Sequence, residues 1–381
     1  MGASCMTDLN LGAIVNAVQT NCHISDAQFA GDLTMCTFLL KMRELYRWEN
    51  DLGFTQEMPK AAIGDWMNER EKLWEGVETS PYVPLPMPGG EMDPFEVEAI
   101  NLTLAPMGYI YSGGYGRACK PHFFLANLLH REERHGFQVY VSDCEYARDL
   151  DAPPGMMLEH VTTPGTSLRS APPPGGGEKH LGRPGVFSAS IFVRTEALRR
   201  WLWERFEEWT WNKRNAALGR ALACYDFARE TEQALDAMTG VETESVILHE
   251  IGEARVGAEL GEPWSAMLAD LMRSRAEIMA RAVRDIYADC LSTLPGLLER
   301  GEPAAIHFYF ANFIGMRRKL FPELAVAYEH WVQEGGLAPL RQVAESGRQQ
   351  WLDKAMAILD LHRGRGDSAG KAIEALLEAA H

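Results

Sequence analysis

The sequence predicts a mostly α-helical protein, a multi-helix core with a small α/β or β insertion in the middle of the chain, and three observations predict it. Helix-period apolar segments with cap signals fill the first 78 residues and everything after Val193. Between them lie the short β-like runs Met107–Tyr111, Phe137–Val141 and Val186–Val193. Proline and glycine clusters separate these zones. The chain therefore reads as an N-terminal helical segment (1–78), a Pro/Gly-rich mixed region (79–193) and a C-terminal helical domain (194–381) packing with the N-terminal helices. At 381 residues it is long enough for more than one lobe.

In the first segment, Ser25-Asp-Ala-Gln28 has the form of a capping box and opens a helix expected to run to about Glu49. Asp26 then falls in a first turn, where the helix dipole alone accounts for it. A second helix is expected over Lys60–Glu78. Pro81, Pro84, Pro86, Pro88 and Pro94 then break the chain into an extended connector, because proline removes a donor and restricts its predecessor. In the mixed region a helix is expected over 121–134, with Pro121 at its first position. From 164 to 185, eleven of 22 residues are Gly or Pro, which predicts a mobile surface loop. Further helices are expected near 195–237, 242–261, 263–299, 303–320 and 322–379, divided by Gly240, Gly261-Glu-Pro263, Gly301-Glu-Pro303 and Pro322.

A formal charge of −16 argues against nucleic-acid or membrane-surface binding, since both call for a basic face. A small-molecule substrate fits better. Seven cysteines without a CxxC pair predict free thiols and a cytoplasmic location, with Cys36, Cys224 and Cys290 as small core residues.

The chemistry concentrates in Val246-Ile-Leu-His249-Glu250-Ile-Gly-Glu253. At about 100° per residue, Glu253 stands about 40° and Glu250 about 100° from His249, on a stripe shared with Val246, Val256 and Leu260. Glu244, Ser245, Arg255, Glu259 and Glu262 collect on the opposite, solvated arc. Buried imidazole and carboxylates need a metal, a cation or a hydrogen-bond network. The segment is similar to the zinc-protease helix HExxH, but Glu253 stands in place of the second histidine, so no peptidase follows. His249 and Glu253, at i and i+4, are the candidate metal ligands; Glu250 is the candidate general base; His307, His122 and His23 are the candidates to complete the shell. That donor set suits iron, zinc or manganese in an oxidoreductase or a hydrolase. The alternative is a non-catalytic scaffold, in which a buried His–Glu pair ties helices together through Arg317 or Arg318. A third expectation is anion or nucleotide binding by the turn holding Gly113, Gly114, Gly116 and Lys120 ahead of a helix start at His122.

Overall fold

The computed structural model describes residues 9–32, 63–114, 120–158 and 190–379, together with scattered positions between 38 and 58. The 164–185 loop, Gly116, Cys36 and part of the expected 25–49 helix lie outside the described residues. The chain divides into two compact units, Met1–Glu204 and Arg205–His381. Mostly α with a small β portion in mid-chain is the architecture observed.

In the first unit, helix α1 (Leu11–Gln28) is capped by Asn10, whose side chain accepts from the Ala13 amide. Ser25 is thus not a cap. It sits in the last turn of α1 and donates from Oγ to the Pro121 carbonyl at 2.5 Å. Helix α2 (Ile63–Trp74) follows within the expected span, and a short α3 (Val97–Leu104) precedes the strands. The connector forms the hairpin β1 (Leu85–Met87) and β2 (Gly90–Met92).

Two further sheets carry the rest of this unit. One has the order β3–β4–β7, with β3 Tyr109–Ser112, β4 Phe124–Asn127 and β7 Glu145–Arg148. The other has the order β5–β6–β9–β8, with β5 Arg131–Arg134, β6 Phe137–Ser142, β8 Gly155–Leu158 and β9 Ser190–Arg194. β6 and β9 run parallel, and the other pairs are antiparallel.

The expected helix 121–134 is absent and is corrected to β4 and β5. Phe124, Leu125 and Ala126 are buried in the middle of their sheet, a continuous apolar run that a central strand requires. Glu132 and Glu133 favour a helix locally. The turn His135–Gly136, with both residues at positive φ, sets a tight hairpin that pairs Arg134 with Phe137 and overrides that preference. Because β4 and not a helix follows Lys120, no helix dipole is available there to an anion.

Helix α1 packs on β1, β4 and β7. Ile14, Val18, Cys22, Leu85, Ile100, Leu104, Tyr111, Phe123 and Leu125 form that core. Arg194 of β9 and Glu145 of β7 join the two sheets through a fully buried bidentate pair, with Nε to Oε1 at 2.8 Å and Nη2 to Oε2 at 3.1 Å.

Helix α4 (Thr195–Trp211) spans the boundary between the units. The second unit is helical: α5 (Ala216–Leu222), α6 (Thr231–Asp270), α7 (Arg275–Ala288), a π-turn (Asp289–Thr293), α8 (Leu294–Arg300), α9 (Pro303–Asn312), α10 (Gly315–Leu320), α11 (Pro322–Glu334), α12 (Ala338–Arg365) and α13 (Gly370–Glu378). The expected break at 261–263 is present, as a kink where two helical stretches of α6 meet. Gly261 takes φ 64° and ψ −166°, which accommodates Pro263 inside α6. The expected 263–299 helix is interrupted at Leu271–Ser274, where Ser274 caps α7 by accepting from the Glu277 amide. Pro295, which cannot donate to the ladder, lies two residues past the end of the π-turn.

Candidate functional site

The π-turn brings Asp289 against the middle of α6. Gly252 makes this approach feasible, since a Cβ there would stand 2.6 Å from the Ala288 carbonyl oxygen. One turn away His249 places Nδ1 3.6 Å from Asp289 Oδ1 and Nε2 3.4 Å from Glu253 Oε1. Its side chain is 36 % exposed, whereas that of Asp289 is 1 % exposed. The other oxygen of Asp289, Oδ2, accepts from Tyr309 OH at 2.9 Å and from Arg317 Nη1 at 3.0 Å. Arg284 Nη2 donates to Glu253 Oε1 at 2.8 Å and to Asp285 Oδ1 at 3.1 Å.

Electrostatics follow from this arrangement. Burial lowers the affinity of the His249 ring for its second proton, but Asp289 and Glu253 outweigh burial and hold the ring well above the ordinary histidine range. Burial likewise opposes charge on Asp289, yet His249 and Arg317 keep its carboxyl below the usual carboxylate range. Glu253 is also held low, by His249 and Arg284 against burial. Glu250 differs. It is buried and has no hydrogen bond or ion pair among the described residues, and burial, with Glu253 adding to the effect, pushes its carboxyl up to about 7.

Sequence and structure agree on the inward stripe only in part. Glu250 is buried, while His249 and Glu253 are half-buried at the seam with α7 and the π-turn. Arg255, Glu259 and Glu262 are exposed, as the helical period predicts. Glu244 and Ser245, expected on the solvated arc, are instead half-buried.

The remaining expected ligands do not join this set. His307 accepts from or donates to Tyr328 OH through Nδ1 at 2.9 Å and lies against Trp331. Burial, with Arg220 nearby, keeps it neutral by lowering its proton affinity. His23 and His122 belong to the first unit: His23 Nε2 is 3.2 Å from Gln19 Nε2, and His122 Nδ1 is 3.2 Å from Asp149 Oδ2. His122 opens no helix; it precedes β4.

The first unit holds a second buried charge network that sequence reasoning did not assemble. Lys41 Nζ is 2.8 Å from Asp26 Oδ1 and 2.7 Å from Asp151 Oδ2. Lys120 Nζ reaches Asp26 Oδ1 at 2.5 Å and both Asp149 Oδ2 and Asp151 Oδ2 at 3.3 Å. Burial disfavours both ammonium groups, but the three aspartates more than compensate and raise them above the ordinary lysine range. Asp149, fully buried, is correspondingly held far down by Lys41, His122 and Lys120. Asp26 therefore does more than complement a dipole, and it stands in the last turn of its helix rather than the first.

Among the described residues, Asp26, Asp149 and Asp151 form the one group of three His, Cys, Asp or Glu whose ligand atoms lie within 4.8 Å of one another. Two ammonium groups already sit among those oxygens, which meets their need for a cation. An incoming anion at Lys120 would face the same three carboxylates. Gly113 has a packing role, since a Cβ there would collide with the Pro94 carbonyl and crowd the Tyr111 hydroxyl.

Residues 13–163 match the model of the N-terminal domain, and residues 199–380 that of the C-terminal domain, of a family of unknown function, DUF6866. The chain carries both domains of the DUF6866 family. The division between the two DUF6866 domains falls close to the one between the compact units at Glu204 and Arg205. The Lys120 network lies within the N-terminal DUF6866 domain and the His249 network within the C-terminal one. No curated protein and no solved structure matches the chain.

Asp289 and Arg284 are the members of the His249 set that the sequence did not announce. Both lie in a helical run whose interspersed charges read as a solvated face. The one usable signal was Pro295, which forces irregular backbone next to Asp289.

Proposed function

We propose that the C-terminal domain is an enzyme centre working by proton transfer, in which Glu250 exchanges the proton and His249, as imidazolium, polarises a substrate oxygen. The observation that carries this reading is the placement of both His249 ring nitrogens toward carboxylates, Asp289 on one side and Glu253 on the other, beside a buried carboxyl with no partner of its own. A ring flanked by two carboxylates is held in its charged form. An unpaired acid poised near neutrality is suited to general acid–base work. Asp289 and Glu253 position the ring, and Tyr309 and Arg317 position Asp289.

A metal-dependent oxidoreductase or hydrolase at the same residues, with iron, zinc or manganese, requires His249 to turn a deprotonated nitrogen away from a carboxylate and Glu253 to release Arg284. The scaffold reading is favoured by a different observation: the Arg284–Glu253 and Arg317–Asp289 pairs are complete without any ligand. Free Cys22, Cys144, Cys224 and Cys290 suit the proposed cytoplasmic location; Cys224 is exposed rather than core, because it follows the end of α5. Among the described residues, no helix is long and apolar enough to cross a membrane.

The test combines metal analysis of untagged protein with turnover on ester, amide and carbonyl substrates. Proton transfer predicts activity without stoichiometric metal, abolished in a folded Glu250→Gln variant. Stoichiometric metal lost in both His249→Ala and Glu253→Ala would instead establish the metal centre. Inert protein whose Glu250→Gln variant differs in stability alone would favour the scaffold.

A further inference from the structure

A second group of buried polar atoms lies on α6 two turns before His249. Three oxygens there, Glu242 Oε1, Ser245 Oγ and Tyr225 OH, are buried with no hydrogen-bond partner among the described residues. Glu242 itself is 3 % exposed. Buried polar groups are bonded as a rule, so several orphans in one region point to a missing partner.

The topology brings these side chains to one corner. Glu242 and Ser245 are three apart on α6 and share a face. Tyr225 follows α5, its amide donating to the Leu222 carbonyl at 3.1 Å. α5 packs on α9, and Asn215 at the start of α5 donates to Ala311 near the end of α9. The two helices are therefore antiparallel, and the end of α5 lies at the start of α9, beside Glu302. Arg300 ties that start to α6, standing 3.1 Å from Glu302 and 3.9 Å from Glu244. The corner thus gathers Glu242, Glu244 and Glu302 near the guanidinium of Arg300, which is engaged by the latter two. Burial pushes the Glu242 carboxyl up to about 8, against the neighbouring Ser245 hydroxyl and Arg300 and with Glu302 adding to the rise, and it pushes the Tyr225 phenol up as well.

We propose that this corner binds the primary ammonium head of a small organic cation, with Glu242 as counter-ion and the Ser245 and Tyr225 oxygens as further acceptors. An ammonium carries three donors, and these three oxygens have no donor from outside their own group among the described residues. Calcium takes six to eight oxygens and magnesium a rigid octahedron, so three side-chain oxygens suit neither. The Tyr225 ring packs edge-on to Phe227, which stacks on Phe206 at 4.5 Å, so an aromatic wall stands beside the charge. The site is independent of the proton-transfer reading, since it uses none of the same residues.

The test titrates the full-length chain with methylammonium and propylammonium chloride, using sodium and tetramethylammonium chloride at equal ionic strength as controls. The readout is the carboxyl carbon resonance of Glu242, assigned with Glu242→Gln. Primary ammonium should move the Glu242 midpoint down by roughly one pH unit or more, and Tyr225→Phe and Ser245→Ala should each reduce that displacement. If Glu242→Gln does not fold, these two hydroxyl variants assign the resonance by their effect on it. No displacement, or an equal one with sodium or with tetramethylammonium, overturns the proposal.

Discussion

His249 and Asp289, 40 residues apart in sequence, face each other across α6 and the π-turn with 3.6 Å between Nδ1 and Oδ1. Asp289 is in turn held by Arg317 and Tyr309 through its other oxygen. One fully buried carboxylate thereby sets the charge state of a half-exposed imidazole and joins three helices.

Removing that carboxylate has two consequences. Asp289→Asn should bring the His249 titration midpoint, followed by NMR, down toward the ordinary histidine range. It should also cost about 2–3 kcal/mol of stability, because Arg317 loses its counter-charge and Tyr309 its charged acceptor. An unchanged His249 midpoint in a folded variant would show that Glu253 alone holds the proton.

Gly252 and Gly296 predict a contrast. A methyl group at Gly252 meets the Ala288 backbone carbonyl at 2.6 Å, and backbone cannot step aside cheaply. At Gly296 the methyl meets the Leu248 side chain, also at 2.6 Å, and a leucine can change rotamer. Gly252→Ala should therefore cost about 1–3 kcal/mol in spite of alanine's better helix propensity. Gly296→Ala should cost less. Equal denaturation midpoints for the two variants would contradict the close approach at Ala288.

The Lys120 network makes the stability of the N-terminal unit depend on pH at both ends. Asp149 is held below its unfolded value, so its contribution is complete above about pH 4 and is lost as pH falls through the folded value. Lys41 and Lys120 are held above theirs, so their contribution is complete below about pH 10 and is lost as pH rises through the folded values. Asp149→Asn should lower stability near neutrality by about 3 kcal/mol and flatten the acid limb of a denaturation series. An acid limb as steep as that of the parent chain would assign the dependence to other carboxylates.

Arg194 and Glu145 are both fully buried, and the Arg194 guanidinium lies 4.4 Å from the centre of the Phe124 ring. Arg194→Met leaves Glu145 with Arg148 alone, 3.6 Å away, and should cost about 3–5 kcal/mol. Adding Glu145→Leu should recover part of that loss, because two apolar groups need no solvation. Additive costs in the double variant would mean that the pair is not coupled across the sheets.

The sequence made the helical regime legible because it is written locally. α6 showed its apolar period and its break at Gly261-Glu-Pro263, and β3, β6 and β9 showed as short apolar runs. β5 was hidden, since Arg131-Glu-Glu-Arg134 carries helix-favouring glutamates and only the His135–Gly136 turn and the partner strand make it extended. Ser25 imitated a cap while Asn10 was the one in use. Of the candidate site, His249, Glu250 and Glu253 are legible in the sequence, because polar residues on an apolar stripe violate a periodic pattern. Asp289 and Arg284 violated no pattern visible along the chain.

The amino-acid order alone determined which stretches are helical and which helix carries misplaced polar groups, since both depend on residues within one or two turns of each other. Only the tertiary structure decided the partners: that His249 meets Asp289 and Glu253 on opposite edges, that Lys120 is surrounded by three aspartates, and that His307, His122 and His23 stand in other surroundings. The physical reason is that a buried charge is defined by its neighbours in space. Those are set by close approaches such as Gly252 against Ala288, which no local period encodes.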